Sequence, residues 1–145
     1  MEGNGVNRSF VDTNVWYYAF VVQDDPTKSL SAQKLIRHIQ PVVSTQVIME
    51  ICANLLRKAK LSEDAIRTVI QAFFSDFVVV LIDEPILGTA SRLRERYSLS
   101  FWDSTIVACA LISGCSELYS EDMQHGLNVE GQLRIVNPFL PPVTN

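Results

Sequence analysis

Ser9-Phe-Val-Asp12 is a short apolar run that ends in an acid, and it reads as a buried first strand with a carboxylate at its carboxyl end. Working outward, Trp16 to Val22 is apolar and aromatic and predicts a short helix, broken by Asp24-Asp25-Pro26. Leu30, Leu35, Ile36 and Ile39 carry a helical rhythm. Pro41-Val-Val-Ser44 reads as a second strand. Thr45 to Lys60 is a strong helix, with Val47, Ile51 and Leu55 recurring every four residues. Ser62 caps a further helix that presents Ile66, Val69, Ile70 and Phe73 on one face.

Phe77 to Ile82 is a solid run of β-formers, the pattern of a strand covered on both sides. Asp83-Glu-Pro85 fits a helix start with proline in the first turn, and that helix extends to Tyr97. Trp102 to Ile112 is another helix, stopped by Gly114. Glu117 to Ser120 and Leu133 to Val136 complete the strands. Helices alternating with short buried strands predict an α/β fold, a three-layer α/β/α sandwich around a central parallel sheet. In such sheets ligands bind outside the carboxyl ends of the strands, where Asp12 and Asp122 fall.

The chain has 145 residues, enough for one domain (1–145, core about 9–138) with a core that needs no staples. Hydrophobic residues make up 48% and charged residues 19%, an ordinary globular composition. No apolar run approaches the roughly 20 residues needed to span a bilayer, and residues 1–8 lack the apolar centre of a secretory signal. A cytoplasmic protein with no membrane association is expected. Cys52, Cys109 and Cys115 are odd in number and form no C-x-x-C pair, which predicts buried free thiols. The net charge of −4 lacks the basic footprint of most nucleic-acid binders. Acids gathered around divalent cations would reverse the local sign of that field.

Four acids stand out. Each also fits a plain local role. Asp12 fits a helix cap or Asx turn. Glu50 lies on a polar stripe with Gln46, Asn54 and Arg57 and fits a solvated helix face. Asp103 fits the capping-box pattern Ser100-x-x-Asp103. Asp122 fits a turn, and Glu121 competes with it for any function. Together, however, they suit a hard cation such as Mg²⁺, which takes oxygen ligands and is used in phosphodiester cleavage.

Phe10-Val-Asp-Thr-Asn14, Glu50 in its helix, Phe101-Trp-Asp-Ser-Thr-Ile-Val-Ala-Cys-Ala110 and Leu118-Tyr-Ser-Glu-Asp-Met-Gln-His-Gly126 resemble the successive motifs of PIN-domain nucleases, and most closely the VapC-type toxins of toxin–antitoxin pairs. The resemblance spans Ser9 to about Pro138. It implies Mg²⁺- or Mn²⁺-dependent RNA cleavage with Asp12, Glu50, Asp103 and Asp122 as catalytic metal ligands. Asp122 is preferred to Glu121 because the family places Ser or Thr two residues before that acid, which matches Ser120. Thr13, Asn14 and Ser120 match supporting positions. Some family members carry a further aspartate after the fourth acid, where Met123, Gln124 and His125 stand here. The resemblance also implies an RNA substrate, a cognate antitoxin protein and a homodimer.

Around these acids, His125 is expected in a turn, Trp102 in core or helix-entry packing instead of base stacking, and Arg92, Arg94 and Arg96 on a solvated helix end. Trp16, Tyr17 and Tyr18 are expected in the core. Two other readings compete. Receiver domains and aspartate phosphatases also place an aspartate after the first strand. They use a late lysine, and this chain has none after Lys60. The phosphatases also want an aspartate where Asn14 stands. A PIN-like scaffold without catalysis would have no need of all four acids.

Overall fold

A computed structural model describes residues 7–141. The elements are β1 (Arg8–Val11), α1 (Thr13–Phe20), α2 (Pro26–His38), β2 (Gln40–Ser44), α3 (Thr45–Arg57), α4 (Glu63–Asp76), β3 (Val78–Val80), α5 (Glu84–Arg96), α6 (Phe101–Ile112), β4 (Glu117–Tyr119), β5 (Asn128–Val129) and β6 (Leu133–Val136). The sheet order is β3-β2-β1-β4-β6-β5. Every pairing is parallel except β5 with β6. The expected α/β architecture is present, with six helices flanking a mostly parallel sheet. α1 packs on α2 and α3, and α3 on α4, while α5 packs on α6, which also contacts β2 and β4.

β1 is the pivot. The chain runs outward from β1 through β2 to β3, then returns to pair β4 on the other side of β1. A crevice opens at such a reversal, outside the carboxyl ends of the strands. Phe10, Val11, Val42, Val43 and Leu118 are fully buried and lock the register there.

Local chemistry sets the helix ends. Ser44, Ser62 and Ser100 cap α3, α4 and α6 by accepting from Val47, Ala65 and Asp103 amides. Gly114 stops α6 at a φ of +78°, a conformation open to glycine, and Cys115 donates back to the Ala110 carbonyl.

Three expectations need correction. The second helix begins at Pro26, one turn before Leu30, because Asp25 caps it and proline serves its first turn; Asp24-Asp25-Pro26 starts a helix as well as ending one. Phe77 to Ile82 does not form a strand covered on both sides. Only Val78–Val80 pair, at the sheet edge and half-buried, and Leu81 is exposed. The β5 hairpin was not anticipated; its turn places Glu130 and Gly131 both at positive φ.

The three cysteines are free and buried, as expected. Burial pushes the Cys109 thiol up to about 12, and the Cys52 and Cys115 thiols are raised for the same reason. Trp16 and Tyr17 are in the core, with Tyr18 packed against it. The Trp16 ring lies edge-on to Phe73 and Phe77, and its indole N–H donates to the Val11 carbonyl at 3.0 Å.

Candidate active site

β1 delivers Asp12 into the crevice. Asp12 is the N-cap of α1, and its Oδ1 accepts from the Thr13 amide at 2.7 Å. Its Oδ2 accepts from Ser120 Oγ, just past β4, at 2.8 Å. The cap and the site are thus one residue with two uses. Burial raises the Asp12 pKa to about 6; the Ser120 and Thr13 hydrogen bonds oppose that rise, and Glu50 and Asp103 add to it by like-charge repulsion.

Glu50 arrives from the second turn of α3. It accepts from Thr13 Oγ1 at 2.6 Å and from Gln46 Nε2 at 3.2 Å. Asp103 sits in the first turn of α6, where its amide donates to Ser100 Oγ at 3.1 Å. Burial raises its pKa; the Ser100 hydrogen bond opposes this, and Asp122 and Glu50 add to the rise. Asp122 accepts from Asn14 Nδ2 at 3.0 Å, while its own amide and that of Met123 donate to Ser120 Oγ. Asn14 Oδ1 also takes the Glu121 amide at 3.1 Å. Asn14 and Ser120 therefore tie the segment after β4 to the start of α1.

All four acids line one cleft of about 620 Å³. They are not scattered over separate faces. Among the described residues, no three His, Cys, Asp or Glu side chains stand close enough together to hold an ion as placed. The carboxylates of Asp12, Glu50 and Asp122 are instead each held by a neutral donor, and Asp12 and Asp103 lie close enough to the other acids to feel their charge. The donor set is oxygen throughout, which fits a hard divalent cation and does not fit zinc held by thiolates.

Glu121 points elsewhere. It pairs with Lys28 and accepts from the Tyr18 hydroxyl at 3.2 Å, and of the two neighbours it is Asp122 that lines the cleft. His125 serves a turn, as expected: its Nδ1 accepts from the Asn137 amide at 2.9 Å. Arg92 and Arg96 are exposed and pair with Glu130. Arg94 departs from the expected solvated end, donating to Ser104 Oγ at 2.7 Å and lying over the Phe101 ring. Trp102 also departs from expectation. It is 64% exposed and lines the cleft beside Asp103.

The cleft includes residues the sequence reading did not assign to it: Tyr17, Tyr18, Asp24, Asp25, Asn54 and Lys58. The signal for two of them was present. Glu50, Asn54 and Lys58 recur every four residues along α3, so one helix face meets the cleft instead of open solvent. Gln46 begins that stripe and is buried, and its Oε1 has no hydrogen-bond partner among the described residues.

The model of the PIN domain matches residues 9–125. The chain belongs to the PIN domain family. No curated protein matches it by sequence. Solved structures of PIN proteins share its fold at low identity. A toxin–antitoxin complex from Klebsiella pneumoniae is 20% identical, with a TM-score of 0.68, over 90% of this chain and 98% of that one. The Mycobacterium tuberculosis toxin VapC20, described as cleaving the sarcin–ricin loop, is 21% identical with a TM-score of 0.64, over 76% of this chain and 86% of that one. VapBC2 of Rickettsia felis, bound to a DNA fragment from its promoter, is 14% identical with a TM-score of 0.63, over 90% of this chain and 99% of that one. Among the described residues, no helix is long and apolar enough to cross a membrane.

Proposed function

We propose that this PIN domain is a metal-dependent endoribonuclease, the toxin of a toxin–antitoxin pair, that hydrolyses RNA phosphodiesters. One observation carries the reading: Asp12, Glu50, Asp103 and Asp122, up to 110 positions apart in sequence, line a single cleft. Asp12, Asp103 and Asp122 would hold Mg²⁺ or Mn²⁺, and Glu50 would bind it directly or through water. When bound, the cation supplies neutralising charge for the phosphate and a lowered pKa for water.

The protein's own groups prepare that site. Ser120 and the Thr13 amide hold Asp12 against the desolvation that disfavours its charge. Thr13 Oγ1 orients Glu50, and Asn14 orients Asp122. Such outer partners fix the direction of a ligand's lone pairs. No side chain serves as a nucleophile in this scheme, and water attacks in line. The partner would be an antitoxin with a basic side chain that reaches the acids; the structural relative from Klebsiella pneumoniae is a toxin–antitoxin complex. Homodimerisation and a cytoplasmic location belong to the same reading.

The test is cleavage of total RNA by the purified full chain in Mg²⁺, in Mn²⁺ and in chelator, beside Asp103→Asn. Metal-dependent cleavage that the variant lacks supports the reading. Equal cleavage in chelator overturns it.

A further inference from the structure

Phe101 and Trp102 open α6 immediately before Asp103, with 53% and 64% of their surface exposed. Their rings are 5.1 Å apart and nearly perpendicular, at 74°. Arg94 stacks its guanidinium 4.4 Å from the Phe101 ring centre, fastened from behind by Ser104. One face of Phe101 is taken by that guanidinium and the ring braces its neighbour, while Trp102 is the more exposed of the two. An indole held in this way loses little conformational freedom when a flat group settles on it.

Trp102 walls two clefts at once. One is the acid cleft. The other is a shallower, mostly apolar cleft of about 320 Å³ lined also by Met49, Ala53 and Glu50. Glu50 is common to both, so the shallow cleft opens directly beside the acids. Gln46 links them: its Nε2 donates to Glu50 at 3.2 Å and reaches the Trp102 carbonyl at 3.5 Å, the outer limit of a hydrogen bond. Met49, which lines the shallow cleft with Trp102, is itself 65% exposed.

Charge narrows what could lie there. Lys58 is the single lysine or arginine lining the acid cleft among the described residues, and the chain carries a net charge of −4. Few phosphate contacts are on offer, so the salt-dependent share of nucleic-acid affinity is small. Stacking is indifferent to the sign of the surface and is open to every base.

We propose that Trp102 is the stacking platform for one unpaired base of the RNA, seated in the shallow cleft beside Glu50. This rests on the nuclease reading and assigns Trp102 the base that lies beside the acids. A base inside a duplex is already stacked on its neighbours and has no free face to offer.

The experiment uses indole fluorescence and cleavage together. Trp16 is 2% exposed, so a change in emission on adding RNA reports Trp102. The full chain in Mg²⁺ is mixed in a stopped-flow instrument with a short unstructured RNA, or with the same strand in a duplex. Emission falls with the single strand, remains with the duplex, and does not respond in Trp102→Leu. In steady-state cleavage, Trp102→Ala raises KM by about 5- to 150-fold, with kcat changed far less, as expected for the loss of one stacked base. Trp102→Phe stays within about threefold of the natural protein because the stacking face survives.

Cleavage of RNA by a protein whose emission RNA does not alter overturns the platform and leaves the nuclease reading standing. Quenching without cleavage in any metal overturns the nuclease reading and keeps the platform. Quenching that grows with protein concentration in the absence of RNA assigns the ring to a second copy and overturns the proposal.

Discussion

Glu121 and Asp122 are neighbours in the chain, and they are treated in opposite ways. Glu121 is neutralised: Lys28 pairs with it, with the Lys28 ammonium also over the rings of Tyr18 and Phe139. Asp122 faces the cleft and receives only the neutral amide of Asn14. The same division runs through the molecule. Glu117 has Arg134, Glu130 has Arg92 and Arg96, and Asp64 has Arg67. None of the four cleft acids is in an ion pair among the described residues. A folded chain ordinarily pairs or solvates its charges, since charge gathered in a desolvated place costs stability. Charge that is gathered and left to neutral donors is what the proposed cation site would require.

The comparison breaks most sharply in catalysis. Asp12→Asn or Asp103→Asn should lower RNA cleavage by more than the ~10–100-fold typical of losing an outer-shell partner. Cleavage at the natural rate by either variant, read on total RNA in Mn²⁺, would reduce the cleft acids to the rank of Glu117.

Stability should move in the opposite direction. The pKa of Asp12 is raised from 3.8 to about 6, so the folded state holds its proton more tightly than the unfolded chain. Below the lower value both states are protonated and Asp12 contributes nothing. Between the two values the unfolded chain ionises first, and the metal-free protein loses stability as pH rises. Above about 6 the loss is complete, on the order of 3 kcal/mol. Asp12→Asn should remove that pH slope and stabilise the metal-free protein at pH 7. Denaturant melts from pH 4 to 7.5 in chelator would show it. Saturating Mn²⁺ should recover stability in the natural protein, by about 2.7 kcal/mol at a hundred times its Kd, and not in the variant.

Smaller effects sharpen the picture. Asn14→Ala frees Asp122 and the Glu121 amide together, and should cost about 10-fold in cleavage or metal affinity. Calorimetric titration with Mn²⁺ would separate the two. At the bottom of the scale, Glu130→Gln loses only partly exposed ion pairs. It should change stability by under about 1 kcal/mol and leave cleavage untouched.

How much of this was legible without coordinates depends on the physics behind each residue. Amphipathic spacing gave α3 through Val47, Ile51 and Leu55, and serine caps gave the starts of α4 and α6, because these signals are local. The sheet edge was misread because Val78, Val79 and Val80 are apolar whether one or both faces are covered. The β5 hairpin depends on two residues and a turn, too short for any periodicity. The four acids could be gathered from the sequence only through likeness to a family, since each had an adequate local role as a cap, a turn or a polar stripe. Two of those roles proved real. Asp12 does cap α1, and Asp103 does sit under the Ser100 cap, so the local reading and the shared cleft describe the same side chains. Trp102 was misplaced because an aromatic beside a helix start usually packs inward, and only the fold shows it exposed at the cleft.

The pairing of β1 with β4 has a consequence for timing. Ser9 lies against Glu117, and the carboxylate of Asp12 is held by a hydroxyl 108 positions further along. During synthesis the amino-terminal strand emerges from the ribosome long before either partner exists. Contacts of such long range are also the slow ones to form. The cleft therefore cannot assemble on a partial chain: it waits for β4 and for the segment that carries Ser120 and Asp122.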